Sequence, residues 1–142
     1  QKSKVIKEET LLLIQIDGQT NWTKEKSDLN GSRIGEYSGT VKNGLPHGQG
    51  QICFSHWGKY IDSWKDGKRN GLGTYTYSDG RVSTGNYKNG KKNGNMKIKC
   101  PNGDIYEGDF INGSPSGKFT YTNTIGEISE VDFKRLKNPI KS

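Results

Sequence analysis

The sequence predicts an all-β protein: an elongated, twisted, single-layer antiparallel sheet of consecutive β-hairpins, with about ten or eleven strands and almost no helix. Aromatic positions recur every 23 residues, with Tyr37, Tyr60, Ser83 and Tyr106 in one phase and Val41, Trp64, Tyr87 and Phe110 in another. Glycines keep the same period. Gly44, Gly67, Gly90 and Gly113 share one phase, Gly48, Gly71, Gly94 and Gly117 a second, and Gly58, Gly80, Gly103 and Gly126 follow at spacings of 22, 23 and 23. Only 28% of the residues are hydrophobic, which is low for a compact three-dimensional core but enough for repeats that pack only on their neighbours. A net charge of +7 with low hydrophobicity is also a composition of disordered chains; the strict period of the aromatics argues against that reading.

In chain order, residues 1–34 read as a capping hairpin and loop. Thr10 to Ile16 is the most apolar run, Asp17-Gly18 is a turn signal, and Trp22 lies in the return strand. The run is too short to span a membrane. A polar loop from Lys24 to Arg33 follows. The chain opens on Gln1 and not on Met, as a processed or trimmed chain does, so the lack of a signal peptide does not argue against export. Four repeats occupy 35–58, 59–80, 81–103 and 104–127. In the second, Tyr60, Asp62 and Trp64 alternate with Ile61 and Ser63, a Gly-rich loop runs from Asp66 to Gly71, and Gly73, Tyr75 and Tyr77 alternate with Thr74 and Thr76. Period-2 alternation puts the rings on one face and the small polar residues on the other. The middle apolar-face position of the first strand is Gly39, Asp62, Gly85 or Gly108, a slot that a neighbouring strand's ring can fill. Residues 128–142 read as a degenerate final strand and a basic tail: Ser129 to Phe133 falls on the grid of Tyr106 to Phe110, and the chain is expected to fray beyond Asn138.

This pattern resembles the MORN repeat, whose consensus runs roughly Y-x-G-x-[WF]-x-x-G-x-x-x-G-x-G with a closing Gly some six residues later. Tyr106, Gly108, Phe110, Gly113 and Gly117 show it in the fourth unit. Asp62 stands for a Gly, Ser83 for a Tyr, and Met96 and Phe119 for the second Gly of G-x-G. Some bacterial MORN proteins are similar in having a Trp-containing lead-in. The resemblance implies a role in membrane attachment, protein contacts or self-association.

Catalytic chemistry finds little support. His47 occupies the position of Asn70, Asn93 and Ser116, which suits loop shaping, and His56 reads as a turn residue. Neither has metal-site spacing with Cys53 or Cys100. No G-x-x-x-x-G-K-[ST] is present, so the glycine-rich loops read as turns and not as phosphate cradles. Carboxylates are scattered through the repeats without a paired acid/base site. No catalytic, cofactor-binding or metal-binding residue is therefore assigned. Cys53 falls on the polar face and Cys100 on the apolar face, two repeats apart. That is about 19 Å across four strand spacings, too far for a disulfide. Two free thiols lean toward a reducing compartment, while an exported or cell-envelope home in a bacterium stays open.

Two candidate surfaces remain. The hairpin loops of the second and third repeats hold Lys65, Lys68, Arg69, Lys88, Lys91 and Lys92, and Lys42 adds to them from the first, whereas Asn112 to Ser116 carries no charge. This basic ridge either keeps the sheet rim solvated or attracts anionic partners, above all phospholipid head groups. Nucleic acid is the weaker partner, because the periodic rings belong to the packing face. The second surface is an apolar groove of Tyr75, Tyr77, Tyr87, Tyr106, Phe110, Phe119 and Tyr121. These rings either close on one another through the curl of the sheet or leave a strip for a partner, a homodimer included. The function expected is a non-catalytic interaction or scaffold module for protein partners or an acidic membrane surface. The alternative is an accessory domain of an enzyme whose catalytic part lies outside this chain.

Overall fold

The computed structural model describes residues 7–24 and 31–132. They form eleven strands: β1 (Lys7–Ile16), β2 (Gln19–Thr23), β3 (Ser32–Lys42), β4 (Leu45–Phe54), β5 (Gly58–Lys65), β6 (Lys68–Tyr77), β7 (Val82–Lys88), β8 (Lys91–Lys99), β9 (Ile105–Ile111), β10 (Ser114–Thr122) and β11 (Ile128–Asp132). All belong to one open antiparallel sheet, and there is no helix among the described residues. From β3 to β11 each strand pairs with the next in sequence; at the other end β1 lies between β3 and the short edge strand β2. Residues 25–30 of the polar loop lie outside the described residues, and Ser32 and Arg33 open β3. Phe133 and the basic tail also lie outside them.

Each repeat turns in two residues. Asn43-Gly44, Asp66-Gly67, Asn89-Gly90 and Asn112-Gly113 all have both φ angles positive, 48° and 85° at Asp66-Gly67, as the type I′ turn requires to match strand twist. The expected loop from Asp66 to Gly71 is therefore corrected, because β6 starts at Lys68. The glycine at position 71 instead serves a bulge. Between the pairs Asp62↔Gly73 and Trp64↔Arg69, Ser63 alone faces Asn70, Gly71 and Leu72, and Gly71 takes φ 98°. Register shifts recur within the other three hairpins, and bulges bend a strand and increase its twist.

The bend is visible in the rings. Trp22 on β2 lies 6.1 Å from Trp64 on β5, although four strand spacings of a flat sheet come to about 19 Å. Trp64 is also edge-on to Tyr37 and Tyr60 at 5.2 and 5.3 Å, and its indole N–H donates to the Gly50 carbonyl at 3.1 Å. Each turn is sewn to the repeat before it. The N–H of Gly67, Gly90 and Gly113 donates to the carbonyl of Pro46, Arg69 and Lys92 at 2.8–2.9 Å, and His47 Nδ1, Asn70 Oδ1 and Asn93 Oδ1 accept from the N–H of Asp66, Asn89 and Asn112. The loop-shaping position of His47 is thus a latch between repeats.

The apolar layer is a set of rings laid over glycines. A Cβ on Gly50 would meet the Tyr37 hydroxyl at 2.1 Å, and one on Gly73 would meet Tyr60 at the same distance. The ring of the first strand therefore fills a slot on the second. In the third and fourth repeats the direction reverses: a Cβ on Gly85 would meet Met96 Sδ at 2.6 Å, and one on Gly108 the Phe119 ring at 2.6 Å. Ser83 and Met96, both departures from the consensus, compensate one another, since the large side chain has moved to the partner strand.

Two stability measurements test this layer. Trp64→Ala removes a buried indole between three rings and is expected to cost about 3 to 5 kcal/mol, whereas Thr74→Ala, on the opposite face, is expected to cost under about 1 kcal/mol; similar losses in urea unfolding would refute the face assignment. Asp62 has φ 114°, where L side chains are strained. Asp62→Gly is expected to raise the urea midpoint, with a gain of about 1 kcal/mol, relief of strain outweighing the added freedom of the unfolded chain.

Candidate functional site: a cationic groove and a lysine rim

The turns decide where the basic residues go. Position 69 of β6 recurs as Lys92 on β8, Pro46 on β4 and Pro115 on β10. Two central repeats therefore place cations where the flanking repeats place prolines. Arg69 reaches over the ring layer: its guanidinium carbon lies 5.7, 5.5 and 5.5 Å from the ring centres of Tyr60, Tyr75 and Tyr87, and Nη2 donates to the Gly90 carbonyl at 2.6 Å. Lys92 is only 3% exposed. Its ammonium donates to the Tyr77 hydroxyl and lies 5.2 and 5.6 Å from the ring centres of Tyr77 and Phe110. Attraction of a cation to a ring face offsets part of its desolvation.

Arg81, in the connection between β6 and β7, supplies a third cation. It lies 4.5 Å from the Tyr77 ring centre and pairs with Asp79 at 2.8 Å. Arg69, Arg81 and Lys92, with Lys91 at the edge, line an open groove of about 780 Å³ together with Trp57, Tyr75, Tyr77, Tyr87 and the Asn112-Gly113-Ser114 turn, and among the described residues Asp79 is the one carboxylate in that lining. Burial pushes the Lys92 ammonium down to about 8, and the charges of Arg69 and Arg81 act in the same direction. Burial pushes the Tyr60 and Tyr75 hydroxyls up to about 12 against the opposing pull of Arg69. Tyr87 is raised for the same first reason, and its buried hydroxyl has no hydrogen-bond partner among the described residues.

The six residues of the expected ridge thus fall into two groups. Lys65, Lys68, Lys88 and Lys91 are exposed and flank the turns, with Lys65 opposite Lys68 and Lys88 opposite Lys91. Arg69 and Lys92 leave the rim for the groove, because the two-residue turn puts the second residue after it on the face of the rings. Of the expected apolar groove, Tyr75, Tyr87, Phe110 and Phe119 are buried, and Tyr77 is half-buried against Lys92. Tyr106 and Tyr121 form a separate half-buried pair, 5.0 Å apart, on β9 and β10. Arg81 and the exposed Trp57 are additions. Arg81 had a signal in its column, where the other repeats hold Gly58, Asp104 and Glu127.

Cys53 is an exposed and Cys100 a half-buried free thiol. Among the described residues no group of three His, Cys, Asp or Glu could hold a metal, and no helix is long and apolar enough to cross a membrane.

Lys92 gives a pH signature. Folded, it loses its proton near pH 8, while its ordinary value is 10.5. Between those values the unfolded chain binds more protons, so this residue makes stability rise with pH. The buried tyrosines and Cys100, all raised, work in the opposite sense at and above their own ordinary values. Comparison with Lys92→Met isolates the lysine: from pH 8 to pH 9.5 the stability difference is expected to move in favour of the wild type by roughly 1 to 2 kcal/mol, measured by urea unfolding at each pH. A constant difference would place Lys92 in water.

A comparison with curated proteins finds no match. The family profile described as MORN repeat matches residues 37–55, 63–80, 84–105 and 106–124, together more than half of the chain. These segments carry the ring-and-glycine hairpins and the turns that direct Arg69 and Lys92 inward, and the chain belongs to the MORN-repeat family.

Proposed function

We propose that this chain is a non-catalytic interaction module whose lysine rim docks on an acidic phospholipid surface. MORN repeats are commonly interaction and membrane-binding modules, and one observation carries the choice of surface. Lys65 faces Lys68, and Lys88 faces Lys91, at the tips of consecutive hairpins. Like charges directly opposite each other are unfavourable in a sheet, and none of the four has a salt-bridge partner among the described residues. Four uncompensated ammonium groups along one edge, on turns about 10 Å apart, suit a plane of anionic head groups. At about 1 kcal/mol for each basic residue near such a surface, they supply roughly a thousandfold in partitioning.

Co-sedimentation with vesicles tests the reading. Binding to phosphatidylserine-containing vesicles and not to phosphatidylcholine alone is expected, weakening with salt as exposed charges are screened within about 8 Å at physiological ionic strength. Replacement of Lys65, Lys68, Lys88 and Lys91 by Gln should abolish it. Absence of binding by the wild type, or equal binding by the variant, would sink the proposal.

A further inference from the structure

We propose that the groove lined by Arg69, Lys92 and Tyr87 is a receptor site for an extended acidic peptide of a protein partner, with two carboxylates about three residues apart. The site shares only Lys91 with the lysine rim and does not depend on that rim binding a membrane.

Two independent observations show that the groove is incomplete without an anion. Its lining holds Arg69, Arg81 and Lys92 against the single carboxylate of Asp79, which Arg81 engages. With Lys91 at the edge of the same lining, a surplus of three positive charges remains, and one of them is on a side chain only 3% exposed. Buried charge without an opposite partner is unfavourable. Tyr87, 4% exposed and part of the same lining, has a hydroxyl with no hydrogen-bond partner among the described residues, and orphaned buried groups are rare in folded proteins. The fold does not require either cation. Pro46 and Pro115 occupy the same position in the flanking hairpins, so the repeats provide their own control.

The geometry favours a peptide over a flat surface. A bilayer plane cannot reach an ammonium almost wholly covered by rings, whereas a carboxylate on a side-chain stem can enter a groove of about 780 Å³, within the ordinary range for ligand sites. Arg69 and Lys92 sit in separate aromatic cages, Tyr60, Tyr75 and Tyr87 around the first and Tyr77 and Phe110 around the second. Their backbone positions are two strands apart, roughly 10 Å, which an extended chain spans in about three residues. Arg69 keeps N–H groups beyond the one donated to Gly90, and Lys92 keeps two protons beyond the one given to Tyr77. Each can accept a charge-assisted partner. Trp57 at the mouth, 55% exposed, offers a ring to the peptide backbone.

The test is a titration of the full chain, observed by two-dimensional ¹⁵N NMR, with the peptide Gly-Ser-Glu-Ala-Ala-Glu-Ser-Gly and its counterpart carrying Gln for both Glu. The acidic peptide is expected to shift the Arg69 side-chain N–H and the Gly90 and Gly113 amides, and the Gln peptide to shift none of them. Arg69→Gln and Lys92→Met should each weaken binding at least tenfold. A variant with Gln at Lys65, Lys68 and Lys88, none of which lines the groove, should retain the groove shifts, so failure of the membrane reading is told apart from failure of this one. The inference is overturned by shifts confined to the rim turns or by undiminished binding to Arg69→Gln and Lys92→Met. Shifts of the same groove signals by acidic vesicles alone, or by raising the protein concentration without peptide, as a second copy would cause, also overturn it.

Discussion

A tyrosine ring lying flat across a glycine of the neighbouring strand is the contact on which the rest of this sheet depends. Tyr37 over Gly50 and Tyr60 over Gly73 leave no room for a methyl group, and each ring is fully buried. Because the ring takes up space that a side chain on the partner strand would otherwise fill, one layer of strands can bury large aromatics without a second layer. The constraint is on the pair and not on either residue. Ser83 with Met96 satisfies it from the other strand, as does Phe119 over Gly108, which frees Tyr106 to pack beside Tyr121.

The bulge and the turn convert this layer into a curved one. Opposing one residue by three in each hairpin bends the second strand toward the rings, and the turn of the next repeat then bonds back to it through the carbonyls of Pro46, Arg69 and Lys92. The same backbone path that ties the repeats together aims the side chain at this position over the ring layer. Proline there is neutral filling. Arginine or lysine there places a charge among π faces, where a fold built from packing alone would have no use for it.

The two groups of cations consequently differ in physical character. The rim lysines are solvated and screened by salt, and they act through number and proximity. Arg69 and Lys92 are held by rings, have lost much of their water, and can discriminate by shape as well as by charge. A repeat array that presents both on two hairpins carries solvated and ring-held cations side by side, separated by the alternation of successive residues after each turn.

The sequence by itself determined the architecture, because the period of 23 in rings and glycines reports a local rule repeated in every unit: alternation assigns faces, and Asn-Gly or Asp-Gly assigns turns. What only the tertiary structure decided depends on contacts between units. The bulge makes Gly71 part of a strand and not of a loop, and the two-residue turn before it pairs Arg69 with Trp64 and Lys92 with Tyr87 on the face of the rings, while Lys65, Lys68, Lys88 and Lys91 stay outside. The exchange of ring and slot between Ser83 and Met96, and the meeting of Trp22 with Trp64, join residues far apart in the chain. The pattern within a single repeat holds no information about distances across several strands, since those follow from the accumulated bend of the sheet.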